Sequence, residues 1–220
     1  MKKLLLLNIL LLMMVSLSSC SGDDNPSEQA VIFDIVCLER VTDAGSVFTL
    51  SKPSADEIIT LQAPQRIDTR LVPEGDRLLI MYVPDGGVAY RSGPVTVKGY
   101  GLIVNGTLAE TDGESVDGWD RDPVYLLSAW RAGKYLNLHA RLPYDENPRA
   151  FTLAMPRIQA DRSYPDIYLV HALAADVTTF SRAYYASFDI SRLIDDPDVK
   201  GFTLHLNNSN LDLDEIRFDK

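Results

Sequence analysis

Two cysteines in 220 residues are too few for a disulfide framework, and three histidines leave little material for a metal centre. Basic residues are also in deficit: 21 against 31 acidic ones give a formal charge of −10. That balance repels phosphate backbones and gains nothing at an anionic lipid surface, so nucleic acid is excluded as a partner. The chain has no G-x-S-x-G elbow, no H-E-x-x-H pair, no G-x-x-x-x-G-K-[ST] loop and no dinucleotide fingerprint. We therefore expect no enzyme activity and no cofactor. Long apolar runs are missing as well. The longest, Leu4–Val15, is broken by Asn8 and falls short of the roughly 20 residues a spanning helix needs.

What is present begins at the amino terminus. Lys2 and Lys3 precede that short apolar run, which ends in small polar residues, and this is the layout of an export signal. The run closes on Leu17-Ser18-Ser19-Cys20, which resembles the bacterial lipobox. The resemblance implies cleavage before Cys20 and lipid attachment to its thiol. Several acyl chains on one cysteine hold firmly where a single chain binds only marginally. Behind it, Ser21-Gly22-Asp23-Asp24-Asn25 has the composition of a solvated tether. The segment also resembles the acidic export address of Bacteroides-type surface lipoproteins, which would make Asp23 and Asp24 a signal for the outer face of the outer membrane.

Removing residues 1–19 leaves 201 residues, and losing Lys2 and Lys3 leaves 19 basic against 31 acidic groups, a charge of −12. Along this mature chain apolar residues alternate far more often than they recur at helical spacing, so strands dominate. Ten runs are predicted as strands: Val31–Val41, Val47–Leu50, Arg77–Val83, Val95–Val104, Val124–Trp130, Tyr135–Leu142, Ala150–Met155, Asp166–Leu173, Tyr184–Ile190 and Gly201–Leu206. Ile58–Leu61 and Glu215–Phe218 are weaker candidates, and short helical pieces are expected near Ser54–Ile59 and Ser191–Asp195. Cys37 falls in the first strand, where a small buried hydrophobe is its expected role.

Thr111–Asp122, TDGESVDGWDRD, is acidic, glycine-rich and poor in apolar residues, and is read as an inter-domain linker. The layout is then a signal peptide over 1–19, a lipidated cysteine with tether over 20–29, a first domain over 30–110, the linker over 111–122 and a second domain over 123–220. A fragment from Pro123 to Lys220 is expected to fold alone. The linker acids do not fit an EF-hand, because Asp112 at position 1 puts Val116 at position 5.

Arg77–Val83 (RLLIMYV) with Val95–Val104 (VTVKGYGLIV) resembles the amino-terminal half of NigD-like lipoproteins. Trp130–Leu138 (WRAGKYLNL) and the strand Tyr184–Ile190 with Ser187-Phe188-Asp189 resemble the second half. The resemblance implies an all-β chain, an N-terminal OB-like barrel followed by a C-terminal antiparallel β-sandwich. It also implies a link to bacteriocin immunity, and it supplies no active-site residues.

Among individual side chains, His139 and His205 fall on the polar faces of their strands while His171 lies in a run apolar on both faces, so the three do not converge on one metal ion. Trp119, between Gly118 and Asp120, has no strand pattern to explain it. It is read either as a plug at the domain junction or as an exposed platform for a ligand. The sequence therefore points to a lipid-anchored surface protein that binds an extracellular glycan or protein. Sequestration of a toxin peptide is the alternative, and a hydrolase with a site assembled across the fold is a third. Cys20→Ser should abolish partitioning into the detergent phase. Replacing Asp23 and Asp24 by asparagine should keep the anchor yet protect the protein from protease added to intact cells; equal digestion of both forms would defeat the address reading.

Overall fold

The computed structural model describes residues 30–112, 119, 121–144, 150–172 and 180–220. Residues Val31–Lys220 form one compact unit, in which the described residues make thirteen strands and one short helix. The first five strands are β1 (Ile32–Thr42), β2 (Gly45–Ser51), β3 (Ile58–Ala63), β4 (Arg77–Pro84) and β5 (Gly93–Leu102). They close into a barrel in the order β1-β2-β3-β5-β4, with β4 returning to β1 and a parallel pairing of β3 with β5. This is the OB-type topology of a five-stranded Greek-key barrel.

Strand alternation builds its interior. Val36 and Leu38 on β1, Phe48 and Leu50 on β2, Ile59 and Leu61 on β3, and Leu78, Ile80 and Tyr82 on β4 are all buried in one apolar cluster. The residues between them face outward. Register then aligns Arg77, Cys37 and Thr49 as neighbours across β4, β1 and β2 on the outer surface.

The remaining strands are β6 (Val104–Thr111), β7 (Tyr125–Ala132), β8 (Tyr135–Pro143), β9 (Ala150–Pro156), β10 (Asp166–Ala172), β11 (Ser181–Asp189), β12 (Gly201–His205) and β13 (Glu215–Asp219), with helix α1 (Ser191–Ile194) after β11. They form a sheet in the order β13-β12-β10-β9-β6-β11-β8-β7. Its two ends come back together. Val124 donates its N–H to the Asn207 carbonyl at 2.9 Å and accepts from the Ser209 N–H at 3.0 Å, so the sheet nearly closes around a second core centred on Leu136, Leu138, Leu153, Phe188 and Phe202. The expected all-β architecture of an OB-like barrel and a β-sandwich stands, with one refinement. Three pairings in the second sheet, β6–β9, β6–β11 and β10–β12, are parallel, so it is mixed rather than antiparallel.

β6 is the strand the sequence did not disclose. Asn105-Gly106 has the composition of a hairpin turn, yet it lies inside a strand. A Cβ on Gly106 would sit 2.7 Å from the Phe188 ring, so only glycine fits beneath that buried aromatic. The helical turn expected near Ser54–Ile59 is absent: that span is loop running into β3. The turn expected at Ser191–Asp195 forms as α1.

The position of β6 changes what can fold alone. A fragment beginning at Pro123 lacks the strand between β9 and β11, and both would expose unpaired edges. A fragment beginning at Ile103 should give a cooperative thermal melt. One beginning at Pro123 should give none, and equal melts for the two would show that β6 is dispensable to the second core.

Candidate functional site

The barrel and the second sheet meet along a joint held by specific hydrogen bonds. Asn105 Oδ1 accepts the Arg77 N–H at 3.0 Å and Asn105 Nδ2 donates to the Arg77 carbonyl at 2.9 Å. On the far side of the joint, Ser54 N–H donates to the Arg131 carbonyl and Gly133 N–H to the Ala55 carbonyl. Arg131 is buried and places Nη1 2.6 Å from Asp56 Oδ1 and 2.9 Å from the Gly133 carbonyl. Ser54 and Gly133 both hold positive φ at this contact, a conformation that costs a non-glycine residue about 1 kcal/mol or more.

Two hollows open on either side of the contact. The larger, about 570 Å³, is walled by Cys37, Glu39, Thr49 and Arg77 from the barrel and by Gly133, Lys134, Tyr135 and Ile194 from the second sheet and α1. That volume and its place between two layers are those of a ligand cleft. The Arg77 guanidinium lies 3.7 Å above the centre of the Tyr135 ring, and one of its Nη atoms donates to the Ile35 carbonyl at 3.1 Å. Burial pulls the Arg77 guanidinium below its usual range, with Tyr135 acting in the opposite sense. Lys134 reaches the same ring at 5.5 Å and pairs with Asp189 at 3.6 Å. Cys37 is half-buried and its thiol donates to the Gly75 carbonyl at 3.4 Å. It lines the cleft, whereas sequence placed it as a core hydrophobe. Burial, with Glu39 adding to it, raises the thiol, so it is not an activated nucleophile.

The smaller hollow, about 160 Å³, is walled by the rings of Phe33, Tyr90 and Trp130 together with Asp34, Ser51 and Asn137. Asn137 is 1% exposed; its Oδ1 accepts from Ser187 Oγ at 2.7 Å, and its Nδ2 has no partner. Asp34 accepts from Tyr82 Oη at 2.9 Å and from Tyr90 Oη at 3.2 Å. Tyr90 holds φ at +54°, a strained setting for an aromatic residue that turns its ring onto the joint.

Cys20, Asp23 and Asp24 lie outside the described residues. Trp119 is half-buried and meets Tyr168 edge-on at 5.6 Å; Tyr168 in turn stacks on His205 at 4.6 Å. Trp119 thus packs against β10 and lines neither hollow. His139 stacks on Tyr185, His171 is buried with Nδ1 3.1 Å from the Asp122 carbonyl, and His205 sits between Asp166 at 2.7 Å and Glu215 at 3.4 Å. Sequence reasoning missed Arg77, Asp34, Tyr90 and Asn137. Asp34 carries a signal that could have been used, a lone charge between Ile32-Phe33 and Ile35-Val36.

No protein-family model and no curated protein matches the chain. Solved structures do. A NigD-like immunity protein from Bacteroides caccae ATCC 43185 superposes with a TM-score of 0.56 at 16% identity, over 87% of this chain and 93% of that one. The fold is that of NigD-like proteins. A protein of unknown function (DUF1344) from Bacteroides vulgatus ATCC 8482 superposes at 0.69 with 14% identity, over 87% and 91%. A candidate lipoprotein from Bacteroides fragilis NCTC 9343 does so at 0.58 with 12% identity, over 87% and 96%.

Asp34 yields a pH test. Burial raises its pKa above the ordinary carboxylate value, with the two tyrosine hydroxyls partly opposing. The protonated form is thus favoured in the folded chain. Near pH 3 both states hold the proton and the group adds no pH dependence; as pH rises from about 4 through the raised folded value, the unfolded state ionises first and stability is lost. Asp34→Asn removes that loss. Its melting temperature relative to the native protein should climb as pH is raised through this window, and a constant difference would contradict the assignment.

Proposed function

We propose that this chain is a non-enzymatic lipoprotein, anchored through Cys20 to the outer membrane and facing outward, that binds an extracellular glycan at the joint between its barrel and its second sheet. The observation that carries this reading is the smaller hollow, where Phe33, Tyr90 and Trp130 surround Asp34 and the unsatisfied Asn137 amide. Aromatic rings cover the apolar faces of a sugar ring while the Asp34 carboxylate meets its hydroxyls. The larger cleft beside it gives room for further rings. The likeness in fold to a candidate lipoprotein supports the anchor, and the acidic pair Asp23 and Asp24 supports the outward face.

A second reading draws on the fold shared with a NigD-like immunity protein: sequestration of a toxin peptide. Such a partner calls for a broad face of roughly 800 Å² per side. The concave hollows at the joint favour the glycan.

The test is an array of bacterial and host glycans probed with the full-length protein in detergent micelles. Specific glycans should be retained, and Trp130→Ala, with its thermal melt preserved, should weaken retention at least tenfold. Retention unaffected by Trp130→Ala would remove the joint as the site, and an empty array beside a tight peptide ligand would favour the immunity reading.

A further inference from the structure

We propose that the larger cleft is a subsite for a carboxylate, and that the glycan held at the joint is an acidic one carrying uronate groups. This rests on the glycan-binding reading and names the chemistry of its ligand. Arg77 is only 6% exposed, and its Nε has no hydrogen-bond partner. Among the described residues no carboxylate lies within 4.0 Å of its guanidinium. Its neighbour across the joint shows what the chain does when it balances such a charge itself: the equally buried Arg131 is given Asp56 at 2.6 Å. A buried guanidinium has five donors and is costly to leave unmatched. Arg77 lines a cleft large enough for a ligand; its Nε is closed to solvent and one Nη is taken by the Ile35 carbonyl, which leaves the other Nη to meet a carboxylate in a charge-assisted hydrogen bond.

The surroundings favour one negative charge over several. Lys134 adds a second cation on the Tyr135 ring, but Glu39 lines the same cleft, and the chain as a whole carries −10. A phosphate dianion would meet that opposing field, whereas a single carboxylate is matched by Arg77 alone. The rest of the wall favours a sugar over a peptide. Glu39, Thr49 and Ser51 line the same wall and present carboxylate and hydroxyl acceptors for a ligand rich in O–H donors.

The experiment titrates the full-length protein in detergent micelles with galacturonate, glucuronate and mannuronate trimers, each paired with its methyl ester. Esterification keeps the skeleton and removes only the charge. At least one acid trimer should bind ten or more times tighter than its ester, and Arg77→Gln should abolish that preference. Should Arg77→Gln fail to fold, Lys134→Gln at a half-exposed position should still reduce the preference at least threefold. Equal binding of acid and ester to the native protein would overturn the carboxylate subsite while leaving glycan binding intact, and so would a preference that survives both substitutions. Failure of every trimer to bind would overturn the subsite as well; if neutral glycans are retained on the array, the broader reading stands without it. Displacement of the acid trimer by acetyl-Gly-Glu at equal concentration would overturn the sugar assignment in favour of an acidic peptide.

Discussion

The reciprocal pair of hydrogen bonds between the Asn105 side chain and the Arg77 backbone is the constraint on which the joint depends. It ties the first residue of β4 to the second residue of β6, where the chain has just left the barrel. Both backbone groups of Arg77 are satisfied by it, which removes the usual penalty of burying them. The same residue can then turn its side chain into the cleft. Without this tether the joint would be held at one end only. The Arg131–Asp56 pair and the loop contacts around Gly133 secure the opposite end of the joint, so the larger cleft lies between two fixed points.

Strain is spent at the same place. Ser54 and Tyr90 are the two non-glycine residues with positive φ among the described residues, and both border the joint. Buried polar atoms without partners gather there too: Arg77 Nε, Arg131 Nε and Asn137 Nδ2. A fold built only for stability would be expected to spread such costs or remove them. These costs are concentrated where the two layers meet.

The strands were legible because period-2 alternation is local: ten strong runs and two weaker ones all became strands. β6 was not, since Asn105 and Gly106 were chosen for distant partners, the Arg77 backbone and the Phe188 ring, and so advertise a turn. The joint was harder still. Arg77 reads as the polar start of an apolar strand, and nothing near it in sequence says that Tyr135 will lie beneath its guanidinium. Trp119 attracted attention because its own neighbours are polar, yet it packs on Tyr168 and the hollows draw their rings from Phe33, Tyr90, Trp130 and Tyr135. A site assembled from strand ends of two layers leaves no contiguous motif.

The parallel pairing of β6 on both sides sets the order in which the molecule can assemble. Its partners, Leu153 on β9 and Ala186 on β11, lie far along the chain, and β11 is more distant than any partner the barrel strands pair with. Parallel, non-local pairing is slow because loop closure must precede its reward. Until β9 and β11 are in place, both edges of β6 are open to other chains. Lesions in β9 or β11 should therefore be felt first as lost yield of folded protein.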